Sequence, residues 1–234
     1  MKMTELWETK DSGILYQEPL LLKANQKGIF GQSVFYPGGS IHQALFTYVC
    51  GTPDQAFFNT HKELFFGQWL VCMSPAWERF LRAQPMEKVL RRRMMKPRCG
   101  VSFKMTAPLP EGYLLSPFTE EIFGQHPFEH GRNYADFREF KRLGSGFVIL
   151  FKGKVAAAAS SFLTLQQEVE LDVSTDPAHR RRGLADHCVK EMMADCTARD
   201  LRIHWDAQNE ASFQLALSHG FQEAQAYAVY ILKT

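Results

Sequence analysis

Residues 168–185 read EVELDVSTDPAHRRRGLA, and the fold follows from how that stretch changes character. From Glu168 to Thr175 apolar and polar residues alternate. Val169, Leu171 and Val173 take one face and Glu168, Glu170 and Asp172 the other, the period of a strand with one core face and one acidic face. Asp176-Pro177 ends the strand. Beyond Gly183 the apolar positions Ala185, Cys188, Val189, Met192, Met193 and Cys196 recur at helical spacing, which predicts a core stripe and gives Cys188 and Cys196 a packing role. Between strand and helix stands Arg180-x-x-Gly183-x-Ala185. The first N–H groups of a helix have no internal acceptor, and the macrodipole adds partial positive charge there. A glycine lets a ligand come close to the backbone, and Arg180, Arg181 and Arg182 raise the local potential, so the turn is a candidate pyrophosphate site. It matches neither the dinucleotide fingerprint nor the Walker loop.

Working outward, Gly146 to Phe151 reads as a strand, Gly153-Lys154 as a hairpin turn and Val155 to Leu163 as the partner strand. After the arginine turn and its helix come a strand over Arg202 to Ala207, a helix over Asn209 to His219 ended by Gly220, and a last strand from Tyr227 to Leu232. Composition shifts to Pro and Gly from Pro108 to Gly112, which places a boundary between residues 1–107 and 108–234. In the first part, Gly13 to Tyr16, Ile29 to Tyr36 and Ala44 to Cys50 read as strands. A helix is expected after Ser74-Pro75, with Trp77, Phe80 and Leu81 on one face. It leads to the basic run Lys88 to Arg98, which reads as a solvated helix end. No internal repeat is visible.

The chain has 27 Lys+Arg against 25 Asp+Glu, a formal charge of +2, so no overall basic excess points to nucleic acid or anionic lipid and any anion site is local. No apolar run is long enough to span a bilayer, and Met1 to Lys10 carries charges where a signal peptide needs apolar residues; a cytoplasmic location is expected. The five cysteines include no Cys-x-x-Cys pair and no zinc spacing, so neither a disulfide framework nor a metal site is expected.

Trp205-Asp206-Ala207-Gln208-Asn209, with Ser212, Leu215-Ala216 and Gly220-Phe221, resembles the strand-to-helix segment of the GNAT superfamily of N-acetyltransferases, and the Arg-x-x-Gly-x-Ala turn stands in that family's order before it. The closest likeness is to a bacterial branch that includes the zwittermicin-resistance acetyltransferases. The resemblance covers about Gly146 to Leu232. It implies an α/β (α+β) fold with a mixed, mostly antiparallel sheet flanked by helices, preceded by a smaller α+β N-terminal domain that is a candidate acceptor-binding part. It implies acetyl-CoA as cosubstrate and direct acetyl transfer to the amine of a small molecule. Backbone N–H groups of Arg181, Arg182, Gly183, Leu184 and Ala185 would hold the pyrophosphate, with Arg180 alongside, and Val173 and Thr175 would pair with the pantetheine arm. An N–H near Val173 would polarise the thioester carbonyl. Asn209 caps its helix or touches the cofactor, with Ser212 nearby.

Attack by an amine needs a base, and Glu170, ahead of Asp172 and Glu168, is the first candidate. Ala216 stands where many members carry a tyrosine that returns a proton to the thiolate; the acid is therefore unassigned, with Tyr227 and Tyr230 close in sequence. Two rival readings stay open. One is a non-catalytic module binding acyl-CoA, or nucleic acid through Lys88 to Arg98; the other is acetylation of a protein amine. A homodimer is compatible with the sequence.

Overall fold

The turn Pro37-Gly38, with Gly38 at φ 93° where only glycine is unstrained, folds strand β1 (Gln32–Tyr36) back onto β2 (Gly39–Gln43). A short helix α1 (Leu20–Gln26) precedes this hairpin and buries Leu20, Leu21 and Leu22. Next come β3 (Thr47–Gly51), α2 (Gln55–Thr60), β4 (Leu70–Cys72), α3 (Pro75–Arg82) and β5 (Met86–Pro97). They are followed by β6 (Tyr113–Pro117), α4 (Glu120–Gln125), α5 (Phe137–Leu143), β7 (Gly146–Phe151), β8 (Lys154–Leu165) and β9 (Glu168–Thr175). Then α6 (Leu184–Ala198), β10 (Arg202–Ala207), α7 (Glu210–Ser218) and β11 (Phe221–Leu232) complete the chain. This computed structural model describes residues 13–98, 107–125 and 130–234; Cys99 and the charged start of the chain lie outside them.

Two units emerge. The first takes the described residues up to Met94 with Ala207–Asn209 and Glu223–Thr234; the second takes those from Met95 to Asp206 with Glu210–Gln222. The division thus differs from a single cut after residue 107, because most of β11 groups with the first unit. There β1, β2 and β3 form an antiparallel meander, β4 runs parallel to β3, and β11 pairs antiparallel with β4 through Val229↔Val71 and Tyr230↔Leu70. Its core gathers Tyr36, Ile41, Val49, Phe58, Phe65, Trp77 and Leu81 around Tyr230 and Leu232. Ser74 caps α3 as expected, and the buried Trp77 indole N–H reaches Tyr36 Oη and the Cys50 carbonyl, both at 3.1 Å.

In the second unit β6 to β9 form an antiparallel meander, with α4 and α5 between β6 and β7. The β7–β8 turn is Lys152-Gly153, one residue earlier than expected, with both residues at positive φ (49° and 75°), the pattern of a type I′ hairpin. Helix α6 buries Leu184, Cys188, Val189, Met192 and Cys196, the expected stripe with Leu184 in place of Ala185 and Met193 half-buried. Strand β10 returns parallel to β9. The order meander, helix, parallel strand, helix therefore occurs in both units: β1-β2-β3-α2-β4-α3 and β7-β8-β9-α6-β10-α7. No sequence repeat announces it, since α2 has 6 residues and α6 has 15.

Three expectations for the first half are corrected. The run Lys88 to Arg98 is not a helix end: up to Pro97 it lies in β5, whose alternation puts neighbouring arginines on opposite faces. Arg92 is 9 % exposed with its guanidinium 4.9 Å from the Phe46 ring centroid, and Arg93 Nε is 3.2 Å from Glu223. From Gly13 to Tyr16 the strand pairing reduces to a single bridge, Ile14 to Cys72. Strand β2 begins where only a turn was expected. Its apolar–polar pattern is masked by His42, which is buried because Ser33, Ser40 and Asn25 satisfy its ring nitrogens at 2.9–3.0 Å.

Candidate functional site

Alternation along β9 sorts most of its residues as expected: Val169 and Leu171 are buried and Glu168, Glu170 and Asp172 are half-buried on the other face, but Val173, expected on the core face, is only half-buried. Glu168 meets Arg202 at 3.1 Å and His204 at 3.6 Å. Glu170 stands beside His204 in the parallel ladder and opposite Leu163 on β8. Asp172 faces Ser160 across the β8–β9 ladder. Its carboxyl is pushed up to about 6, chiefly by desolvation, while the N–H of Val173 and the charge of Arg132 pull the other way. The side chain nevertheless keeps 42 % of its surface accessible, so the group is both perturbed and reachable.

The ladder between β9 and β10 spans only Glu168↔Arg202, Val169↔Ile203 and Glu170↔His204. From Leu171 to Thr175, β9 keeps β8 on one side and no pairing to β10 on the other. Two parallel strands that part in this way leave backbone donors and acceptors for an extended ligand. Val173 and Thr175, the residues expected to pair with a pantetheine arm, lie in that stretch.

Beyond it the chain makes a short 3-10 turn over Pro177–His179, tied by Asp176 to the N–H of Ala178 at 2.8 Å. Tyr113 Oη and His179 Nδ1 share a 2.8 Å hydrogen bond, and the Phe151 ring packs 5.1 Å from the imidazole, which anchors the turn to β6 and β7. Arg180 Nε donates to the Thr175 carbonyl at 3.3 Å. Arg181 (φ 62°) and Gly183 (φ 75°) are left-handed, and Gly183 is the N-cap of α6 with no side chain capping the helix. Arg180, Arg181, Arg182 and Gly183 are exposed; a Cβ at Gly183 would meet nothing within 4 Å. Leu184 is 1 % exposed, so it offers its backbone alone, and Ala185 is half-buried. The structure therefore brings the expected pyrophosphate residues to one exposed, uncapped helix start beside a free strand edge. Those residues fit a bound coenzyme A pyrophosphate.

The remaining expected residues are placed less directly. Asn209, directly ahead of α7, is exposed and groups with the first unit. Ser212 accepts the Trp205 indole N–H at 3.0 Å, which ties α7 to β10. Tyr227 is 3 % exposed in β11, within the first unit. Ala216 is fully buried. Burial pushes the Cys188 thiol up to about 12 and Cys196 to about 11, which keeps both protonated and inert as nucleophiles. The pairings of His130 with Ser160 and Ser174 and of Tyr113 with His179 were missed, because the partners are 30 or more residues apart and only the fold brings them together. Among the described residues no His/Cys/Asp/Glu cluster could hold a metal, and no helix is long and apolar enough to cross a membrane.

This strand order, with its mostly antiparallel sheet and flanking helices, is the GNAT fold. It superposes on the GCN5-related N-acetyltransferase-like protein of Streptococcus suis with a TM-score of 0.76 at 22 % identity, over 92 % of this chain and 93 % of that one. A GCN5-related N-acetyltransferase from Kribbella flavida gives 0.57 at 13 % identity, over 91 % and 94 %. The family profile described as GNAT acetyltransferase matches residues 32–230, and the chain belongs to that family. A curated relative, the uncharacterized N-acetyltransferase YdfB of Bacillus subtilis, is 27 % identical over 135 residues, 55 % of this chain; the match spans about half of that relative, 52 %.

Proposed function

We propose that the protein is an acetyl-CoA-dependent N-acetyltransferase that passes the acetyl group directly to the amine of a small molecule. The observation that carries this reading is the uncapped start of α6 beside the unpaired edge of β9. When bound, acetyl-CoA supplies an activated acetyl thioester. The N–H groups of Arg181 to Ala185 hold its pyrophosphate, Arg180 and Arg182 add charge, and Val173 and Thr175 align the pantetheine arm. A backbone N–H of β9 near Val173 donates where negative charge develops on the thioester oxygen.

For the base we now favour Asp172 over Glu170. A carboxylate with a pKa of about 6 still accepts a proton near neutral pH and holds it more firmly than an ordinary one. Glu170 then serves as a binding charge for a cationic acceptor. The first unit is the candidate for acceptor selection. Its own helix start after the meander is filled, because Asp54 caps α2 by accepting from the Phe57 N–H at 2.7 Å. Nucleic acid is not a proposed partner, since Arg92 and Arg93 are engaged within the protein. We place the enzyme in the cytoplasm.

The test is incubation with acetyl-CoA and a panel of amines, following thiol release and acetylated product by mass spectrometry. Acetylation of a small amine, reduced about a hundredfold in Asp172→Asn, is expected. Product on protein amines alone, or no product with any amine, would overturn the reading.

A further inference from the structure

The face of β9 that carries Asp172 also carries a buried imidazole that the reaction as drawn does not use. His130 is 2 % exposed and lies over the β8–β9 ladder. Its Nδ1 is 2.6 Å from the Ser160 hydroxyl and its Nε2 is 2.7 Å from the Ser174 hydroxyl. The same Nδ1 is 3.8 Å from Asp172 Oδ2. Ser160 is the direct ladder partner of Asp172, and Ser174 is the next residue on that face, between Val173 and Thr175. A neutral imidazole donates to one serine and accepts from the other, and a charged one donates to both. The ring can therefore gain, lose or transfer a proton without leaving a buried group unsatisfied. Among the described residues the charged group against it is Asp172 of β9, whose carboxyl also feels the charge of Arg132. The Phe118 ring closes the apolar side at 6.2 Å.

We propose that His130 is a positioning residue for Asp172 and, with Ser160 and Ser174, a relay that carries the acceptor's proton from Asp172 to the cofactor edge of β9. This rests on the reading of Asp172 as the base. The amine nitrogen bonds to the acetyl carbon and releases a proton to the Asp172 carboxylate. Ser160, the cross-strand partner of Asp172, takes that proton from the carboxyl as its own hydroxyl proton moves to Nδ1, 2.6 Å away. The Nε2 proton moves to Ser174 as the Ser174 proton goes to the departing sulfur, whose bond to the acetyl carbon breaks. Asp172 ends ionised, both serines keep a hydroxyl, and the ring is left neutral as the other tautomer, which resets by exchange with water. The relay supplies the acid that Ala216 does not.

The experiment pairs turnover with a titration that needs no turnover. His130→Gln keeps a donor and an acceptor for the two serines but does not titrate. It is expected to fold, to retain the wild-type KM for acetyl-CoA and to lose at least tenfold in kcat, with less loss on an acetyl thioester of a more acidic thiol. Wild-type kcat and pH profile in a folded His130→Gln protein would overturn the relay. Independently, the ring nitrogens of His130 are followed by NMR against pH in the full chain and in Asp172→Asn. Removal of the carboxylate should lower the His130 midpoint by about half a unit or more; an unchanged midpoint would overturn the coupling. If no amine is acetylated, the transferase reading fails, and the midpoint alone decides whether His130 and Asp172 share protons.

Discussion

Gly183→Val tests the cofactor loop with a magnitude that the structure sets and a control that it provides. At φ 75° a branched residue carries backbone strain of about 1–3 kcal/mol. The added Cβ itself meets nothing within 4 Å, so no clash within the protein adds to that strain. For a chain of this size the melting temperature should fall by roughly 2–12 °C while the fold persists. Affinity should fall much further. If the valine denies a phosphate two charge-assisted N–H bonds, each about 1.5–3 kcal/mol, the loss is about 3–6 kcal/mol, or roughly a hundredfold to ten-thousandfold in Kd. The control is Gly153→Val. Gly153 in the β7–β8 turn has the same φ of 75° and the same open surroundings, so it should lose similar stability and no affinity. Calorimetric titration of both variants with acetyl-CoA reads the difference. Equal affinities in the two folded variants would refute the assignment of the α6 start to the pyrophosphate.

Turnover should fall with decreasing pH through about 6 as Asp172 takes up its proton, and Asp172→Asn should remove that limb from the pH–rate profile while Glu170→Gln retains it. Because folding raises the Asp172 pKa above its ordinary 3.8, the folded protein binds this proton more tightly than the unfolded chain. The associated stability is present below the unfolded pKa and lost as pH rises through about 6, so Asp172→Asn should melt at a higher temperature than wild type at pH 8, read by calorimetry. One acetyl-CoA should bind per chain despite the repeated topology, because Asp54 occupies the α2 start; a calorimetric stoichiometry of two would contradict this. The fragment Pro108 to Thr234 should aggregate, since Val229, Tyr230 and Leu232 are at most 1 % exposed within the first unit and would lose their cover; a monodisperse fragment by size-exclusion chromatography would contradict that.

The second unit was legible from β7 onward because its signals there are local, while β6, α4 and α5 were not read. Strict alternation gave β9 at its observed bounds, glycine marked the start of α6, and β7 and β10 also fell where read. The first unit hid behind short strands and buried polar residues: β4 has three residues, and β2 buries His42. The misreading of Arg91 to Arg93 has a general cause. Charge suggests a solvated helix, yet arginine can bury its stem and stack its head on an aromatic ring, as Arg92 does on Phe46. In the candidate site, the proposal for the cofactor loop came from spacing and resemblance, and the structure adds that its residues share one exposed helix start. Asp172 replaces Glu170 as the proposed base because the surroundings that raise the Asp172 pKa are encoded by no alternation pattern. His130 could not be found at all from sequence, since it lies 30 residues from Ser160 and 44 from Ser174.

The pairing of β11 with β4 joins residues 70–71 to 229–230. During synthesis an N-terminal domain ordinarily folds before the rest of the chain emerges. Here the unit that holds β4 cannot close when its own first strands have been made, because β4 lacks one neighbour until β11 arrives. In the interval the nascent chain presents an open strand edge of Leu70, Val71 and Cys72, all fully buried in the finished protein, and must be shielded from pairing with other chains. Such distant pairing also slows folding relative to a chain of local contacts. Expression at low temperature or with a holdase chaperone should therefore raise the soluble yield, whereas deletion of β11 should leave the first unit unfinished however long it is given to fold.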